Sequence, residues 1–258
     1  MSVRWFIPIL VFLSVVFSGC ASTAERQAEQ AKIAKKAETH VLLGSGYLQR
    51  GQLEIAKEEL EKALKVSPDY SQANNIMAVL QWRLKDYDKA DRYFRKALSS
   101  DDNNASAQHN YGAFLCDRGR IDEGLKYFDA AIANQLYSFA ADVNLNAGVC
   151  LMKKPAPPAA EKYLREALRL NPKLPGALFQ MAKISLDTGK AISGRAFIER
   201  YFLASEDTPE SLLLAVKIER ALGNKNAESS YAIRLRGKFP TSPEAEQLAA
   251  MSAPRKKN

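Results

Sequence analysis

The chain has 258 residues, of which 47% are hydrophobic and 26% charged, and it contains only 13 Gly and 11 Pro. This composition is typical of a globular protein rich in helix-forming residues, and it argues against extended disorder away from the chain ends. The formal net charge is +8, but Lys and Arg are interleaved with Asp and Glu and form no dense basic stripe, so we expect no nucleic-acid partner.

Residues 1–19 predict a secretory signal peptide. Their apolar run, Trp5 to Phe17, is shorter than the roughly 20 residues that span a bilayer. Two small residues then precede Cys20, an arrangement that resembles the bacterial lipoprotein box, in which the cysteine is lipidated and becomes the first residue. Phe17 replaces the usual Leu of that box, and it fits an ordinary signal peptidase site poorly. We expect lipidation of Cys20; a plain secreted protein and an uncleaved anchor are the alternatives.

Residues 20–36 are predicted to be a lipidated tether. Several acyl chains, at about 0.8 kcal/mol per buried methylene, would hold the mature protein at a lipid surface. By analogy with bacterial lipoproteins, Ala21 favours the outer membrane, with the domain facing the periplasm. Residues 21–36 contain neither Gly nor Pro, and the sequence leaves open whether they form a helix or an extended segment.

A period of 34 residues organises the rest of the chain. Small residues recur at three positions of this period, and large residues recur between them. The small sets are Gly44, Ala78, Gly112 and Gly148; Ala56, Ala90, Gly124 and Ala160; and Ala63, Ala97, Ala131 and Ala167. The large set is Leu60, Phe94, Phe128 and Leu164. This pattern resembles the tetratricopeptide repeat, so we predict an all-α fold, a right-handed superhelical solenoid of about six tetratricopeptide hairpins.

The period predicts a boundary for each hairpin. The third unit carries about two extra residues near Leu136, and the fifth and sixth units are degenerate, so that they can also be read as plain helical pairs that cap the array. Pro243 predicts the start of a short helix, and residues 243–258 are assigned to a capping helix and a disordered tail. The six predicted units are 37–70, 71–104, 105–140, 141–174, 175–208 and 209–242.

The first helices of tetratricopeptide hairpins line the concave groove in which a partner binds. Asn110 and Asn146 could hold the backbone of an extended partner, or they could stabilise the hairpin stack. Trp82 could anchor a partner, or it could pack against the next repeat. The candidate groove residues are Ser45, Leu48, Gln49, Asn75, Val79, Trp82, His109, Asn110, Ala113, Leu145, Asn146, Val149, Phe179 and Lys183.

Little in the sequence predicts catalysis. The chain has only two histidines, His40 and His109, and it lacks a Gly-rich phosphate loop and paired cysteines with metal-site spacing. We therefore expect no enzyme activity, no catalytic residue, no metal, no cofactor and no small-molecule substrate.

Cys116 and Cys150 lie on the first helices of adjacent predicted units. The periplasm permits disulfides, and a bridge is possible if the two Cα atoms come within about 7 Å. Closing a loop of this length would stabilise the fold by about 3 to 4 kcal/mol. The alternative is a pair of small buried thiols.

Two stretches carry a closer resemblance. Residues 109–116 read HNYGAFLC and residues 235–245 read LRGKFPTSPEA. Together with the lipoprotein start, they resemble the type IV pilus biogenesis and stability lipoproteins of the PilF/PilW family, over the whole chain. Asp102 and Leu136 depart from the repeat pattern, because each stands where a unit-closing Pro is usual.

The resemblance implies a pilotin, an outer-membrane lipoprotein that assists localisation and multimerisation of the secretin. The implied partners are the secretin subunit of the type IV pilus and, through the acyl chains, outer-membrane lipid. The implied mechanism is binding of a secretin segment in the groove while the lipid on Cys20 supplies the address. The alternative is a tetratricopeptide scaffold for another envelope or cell-wall enzyme complex.

Overall fold

The computed structural model describes residues 7–154 and 157–252, with side chains for residues 23–154 and 158–251. This part of the chain forms thirteen α-helices and no β-strand. The helices are α1 Ile7–Gln49, α2 Leu53–Val66, α3 Ser71–Arg83, α4 Tyr87–Ser100, α5 Ala105–Asp117, α6 Ile121–Ala133, α7 Ala140–Leu151, α8 Pro157–Leu170, α9 Pro175–Asp187, α10 Ala191–Ala204, α11 Pro209–Ala221, α12 Lys225–Lys238 and α13 Pro243–Ser252.

Consecutive helices pair into hairpins, from α1 with α2 to α11 with α12, and α13 packs against α11 and α12. The helix bounds lie within the predicted unit ranges except at two places. Helix α7 begins one residue before the predicted boundary at 141. Helix α1 begins upstream of residue 37 and includes the predicted tether, in which the side chains from Thr23 to Lys36 are all exposed. The tether is therefore helical and is not covered by the folded hairpins.

Small residues let the two helices of a hairpin approach closely. The clearest case is Gly112 on α5 and Gly124 on α6. A Cβ atom added to Gly124 would lie 2.8 Å from the backbone oxygen of Gly112 and 3.3 Å from the backbone nitrogen of Cys116. Because both neighbours are backbone atoms, neither can move aside cheaply, and the absence of a side chain at Gly124 sets the distance between the helices.

The turn between the two helices of a hairpin uses a left-handed backbone conformation. Gly119 has φ of 78° and Gly189 has φ of 74°. Lys85 occupies the equivalent place in the second hairpin with φ of 61°, although a residue with a Cβ atom adopts this region at a cost of about 1 to 2 kcal/mol. The packing of α3 against α4 therefore holds a turn that the local sequence disfavours.

The chain divides into two compact units, residues 1–111 and 112–258. In the first unit the cores lie between the helices of the first two hairpins, around Leu60, Ala63, Ala73 and Met77. In the second unit a larger core forms around Leu164, Leu178, Met181 and Ile198, and a smaller one joins α11, α12 and α13.

A disulfide links α5 to α7 in the second unit. It joins Cys116 and Cys150, whose Cα atoms are 5.8 Å apart. Beside it, Nζ of Lys153 donates to the backbone oxygen of Cys116 at 2.9 Å. The bridge closes a sequence separation of 34 residues, so it ties neighbouring first helices together.

Asp207, which precedes α11, binds two cationic side chains of α12 and so stabilises the last hairpin. Its side chain is only 6% exposed, and its two carboxylate oxygens accept hydrogen bonds from Nη2 of Arg234 at 2.6 Å and from Nζ of Lys238 at 2.7 Å. Burial by itself raises the pKa of Asp207, but the hydrogen bonds from the two cations outweigh burial and lower the pKa below its ordinary value. Folding and ionisation of this carboxyl group are therefore coupled.

No helix in the described part of the chain is long and apolar enough to cross a membrane. The side chains of the predicted signal peptide and of Cys20 lie outside the described residues, as does the predicted tail beyond Ser252.

We expect Gly124→Ala to lower the free energy of unfolding by about 1 to 3 kcal/mol, because the added methyl group forces α5 and α6 apart. Gly237→Ala is the matched control, since an added Cβ atom there meets nothing within 4 Å. In α12 the control should be neutral or stabilising by up to about 1 kcal/mol. Urea unfolding monitored by circular dichroism measures both, and equal stability of the two variants would contradict the close-approach account.

We expect Asp207→Asn to destabilise the fold at pH 7 by about 1 to 3 kcal/mol, because it removes charge-assisted hydrogen bonds from a buried site. The lowered pKa means that this contribution is present above the unfolded-state pKa of about 3.9 and is lost as pH falls through the lower folded-state value. Urea unfolding at pH 7 and at pH 3 should therefore show a gap between wild type and variant that narrows in acid.

Asp69→Asn is the control for this pH experiment. The Asp69 side chain is 83% exposed, and its oxygen lies 3.4 Å from Nζ of Lys96, so the change should cost at most about 1 kcal/mol. A gap for Asp207→Asn that stays constant between the two pH values would show that its charge is not what matters.

Candidate functional site

Two of the predicted groove residues in the first compact unit are buried. Leu48 is 5% exposed and packs with Leu60, Met77 and Leu80. Asn75 has no exposed surface. The close packing of successive first helices covers side chains that point at the next hairpin, and this corrects the assignment of Leu48 and Asn75 to an open binding surface.

Asn110 contributes to the packing of α3 against α5. Its Nδ2 donates to Oδ1 of Asn75 at 3.1 Å, and Nδ2 of Asn75 donates to Oγ of Ser106, also at 3.1 Å. Of the two roles that the sequence left open for Asn110, this chain of hydrogen bonds matches stabilisation of the hairpin stack. The half-buried candidates on α3 and α5 are Val79, Trp82, His109, Asn110 and Ala113.

In the second unit, Leu145, Asn146 and Phe179 are all half-buried. Leu145 fills the space beside Gly176, where an added Cβ atom would lie 2.7 Å from Cδ2 of Leu145. The ring of Phe179 packs against Tyr201, with 6.0 Å between the ring centroids. Leu145 therefore serves packing between hairpins, whereas Phe179 also lines a cavity.

That cavity is a groove of about 360 Å³ between α9, α11 and α13. Leu213 and Leu214 form its base, since they are only 4% and 7% exposed. We call it the C-terminal groove and define it by its lining residues, Phe179, Lys183, Leu186, Asp187, Glu210, Leu213, Leu214, Lys217, Glu244 and Gln247.

The repeat period brings these side chains into register. Phe179 and Lys183 are four residues apart on α9, and Leu213 and Lys217 are four residues apart on α11, so each pair lies on one face of its helix. Each residue of the second pair follows its counterpart by 34 residues. The C-terminal groove thus carries a basic row, Lys183 with Lys217, and beside it lie Phe179 and, at the equivalent place on α11, the nearly buried Leu213.

The two lysines of the basic row are accessible and lack charged partners. Lys183 is exposed and Lys217 is half-buried. Within residues 23–154 and 158–251, neither ammonium group takes part in an ion pair or a hydrogen bond. By contrast, Arg195 on the neighbouring α10 forms an ion pair with Glu219, and its Nε donates to Oε1 of Glu219 at 2.7 Å.

Sequence reasoning found only part of the C-terminal groove. It names Phe179 and Lys183 in the fifth unit but not Leu213 and Lys217, because it predicts no groove residue in the sixth unit. The signal that could have found them is the spacing of 34 residues from the named pair. Glu244 on α13 had no such signal, since its position depends on how the capping helix packs.

A second cavity in the same unit, of about 480 Å³, lies between α6, α7 and α8. Its polar groups are largely paired. Oη of Tyr163 donates to Oδ1 of Asp129 at 2.6 Å. Burial, and to a smaller extent this hydrogen bond, raise the pKa of Tyr163 to about 12. Two cations there form ion pairs within α8, Arg165 with Glu161 and Arg169 with Glu166. We therefore regard the smaller C-terminal groove as the stronger candidate for binding.

The described residues contain no group of three or more His, Cys, Asp or Glu side chains placed to hold a metal ion. The C-terminal groove offers apolar surface, ammonium donors and carboxylate acceptors, which are the groups that hold a segment of another protein chain.

Comparison with known proteins agrees with this architecture. The tetratricopeptide repeat family model matches residues 41–106 and 115–175. Type IV pilus assembly protein PilF of Pseudomonas aeruginosa is 29% identical over 244 residues, which cover 93% of this chain and 97% of PilF.

Two solved structures are similar over most of their length. The structure of Pseudomonas aeruginosa PilF matches with a TM-score of 0.78 and 29% identity, covering 86% of this chain and 100% of that one. The structure of PilW, a widely conserved type IV pilus biogenesis factor, matches with a TM-score of 0.77 and 32% identity, covering 83% of this chain and 98% of PilW. The chain therefore belongs to the family of tetratricopeptide-repeat proteins of type IV pilus biogenesis that contains PilF and PilW.

Proposed function

We propose that this protein is an outer-membrane lipoprotein that binds the secretin subunit of the type IV pilus and assists its localisation and multimerisation. It acts by non-enzymatic binding. The lipid on Cys20 holds the protein at the inner leaflet of the outer membrane, and the helical hairpins in the periplasm hold a segment of the secretin.

The observation that carries this proposal is the similarity to PilF and PilW over nearly the whole of their chains, in both sequence and fold. A solenoid of helical hairpins exposes the faces of its first helices, and such surfaces bind segments of other proteins. The C-terminal groove supplies a surface of this kind, with an apolar base and polar sides.

The lipid address is supported by the N-terminal sequence and by the tether. Small residues directly before Cys20 fit a lipoprotein precursor. The exposed helical segment from Thr23 to Lys36 has 14 residues, which reach about 21 Å as a helix. A domain on such a stalk stands clear of the lipid surface and can meet secretin subunits arriving from the periplasm.

We expect Cys20→Ala to release the protein from the outer-membrane fraction and to abolish correctly placed secretin multimers, because the acyl chains supply the anchor. The measurement is membrane fractionation with detection of this protein and of detergent-resistant secretin multimers. Ser22→Ala, which leaves the cysteine in place, is the matched control and should behave as wild type.

Deletion of the gene completes the experiment. If secretin multimers remain abundant and correctly placed without this protein, the proposal fails, and the scaffold for another envelope or cell-wall complex becomes the better account. If Cys20→Ala stays in the outer membrane, a lipid on Cys20 is not what holds the protein there, even if secretin assembly needs the protein.

A further inference from the structure

The C-terminal groove has a charge pattern that restricts what it can hold. Its basic row consists of Lys183 and Lys217, which take part in no ion pair within the described part of the chain. Its accessible apolar surface belongs to the half-buried Phe179 and Leu186, which lie on α9 to either side of Lys183, because Leu213 is only 4% exposed. A segment that lies in the groove therefore meets apolar surface and ammonium groups side by side.

The basic row favours a carboxylate in the occupant. An ammonium group at a partly buried site gains more from a charged partner than one in open water, because water screens the pair less there. Lys217 is half-buried beside the nearly buried Leu213. A carboxylate set against these lysines would form charge-assisted hydrogen bonds that neutral side chains form only weakly.

Three carboxylates also line the groove and limit how acidic the occupant can be. Asp187 is the last residue of α9, Glu210 is the second residue of α11, and Glu244 is the second residue of α13. A long acidic run would bring like charges close to these carboxylates. The groove therefore suits an isolated acidic residue with bulky apolar neighbours, and it disfavours a polyacidic segment.

We propose that the C-terminal groove binds an extended peptide segment in which one Asp or Glu side chain, held by Lys183 and Lys217, is flanked by bulky apolar residues that pack against Phe179 and Leu186. This inference rests on the proposed function in one respect only, since it takes the secretin as the protein that supplies the segment.

The test measures binding of fluorescent synthetic peptides to the purified mature protein by fluorescence anisotropy. Three probes share the same bulky apolar residues and differ at one central position, which is Glu, Gln or Lys. Wild type should bind the Glu peptide roughly tenfold more tightly than the Gln peptide, the effect expected of one charge-assisted contact. The Lys peptide should bind least well.

A charge reversal makes the test specific. The double variant Lys183→Glu/Lys217→Glu should lose the preference for the Glu peptide and should instead prefer the Lys peptide. The double variant Lys173→Glu/Lys225→Glu changes the net charge equally at exposed positions outside the groove, and it should keep the wild-type order. Circular dichroism checks that both variants are folded.

Wild type that binds none of the three peptides, or binds Glu and Gln peptides equally, overturns the inference. So does a groove variant that keeps the wild-type order. Overlapping peptides that tile the periplasmic region of the secretin separate this result from the proposed function. If secretin peptides bind but the groove reversal leaves them unaffected, the inference fails and the function stands. If designed peptides bind through the groove and no secretin peptide does, the groove chemistry stands and the partner is wrong.

Discussion

The close approach of the two helices within each hairpin is the constraint on which the structure depends. It tolerates an added methyl group least where Gly112 meets Gly124, because backbone contacts backbone there and no side chain can move aside. At Gly148 the neighbour is a side chain, since an added Cβ atom would lie 2.7 Å from Cγ of Leu164. Small residues at these places fix the geometry of each hairpin, and the repeat then transmits it along the chain.

Because the hairpin geometry is fixed, the spacing of residues along the sequence determines which side chains meet in the binding surface. Residues 34 apart take equivalent places on successive first helices, so Phe179 pairs with Leu213 and Lys183 with Lys217 across the C-terminal groove. Rows of this kind need no loop to position them, because the helices that carry them are held by the core of the second unit. A preorganised surface binds a flexible segment at a lower entropic cost.

The all-α fold and the hairpin repeat could be predicted from the sequence, because small residues recur wherever two helices of a hairpin approach closely. It did not reveal which candidate side chains are covered. Leu48 and Asn75 are buried by the next hairpin, and the partners of Asn75, Ser106 and Asn110, lie more than 30 residues away in sequence. The helical state of the tether was also open, since its composition suits either a helix or an extended segment.

The account that we propose is that a lipid-held solenoid of the PilF and PilW family binds a short segment of the secretin in its C-terminal groove. Site-specific photo-crosslinking in living cells tests this most directly. A photoreactive amino acid would replace Gln247, which lines the C-terminal groove but has no proposed role in binding, or, as control, Ile192 on α10, which is 76% exposed and lies outside the groove. The account predicts secretin crosslinks from position 247 and none from position 192. Crosslinks from position 192 alone, or none from either position, would contradict it.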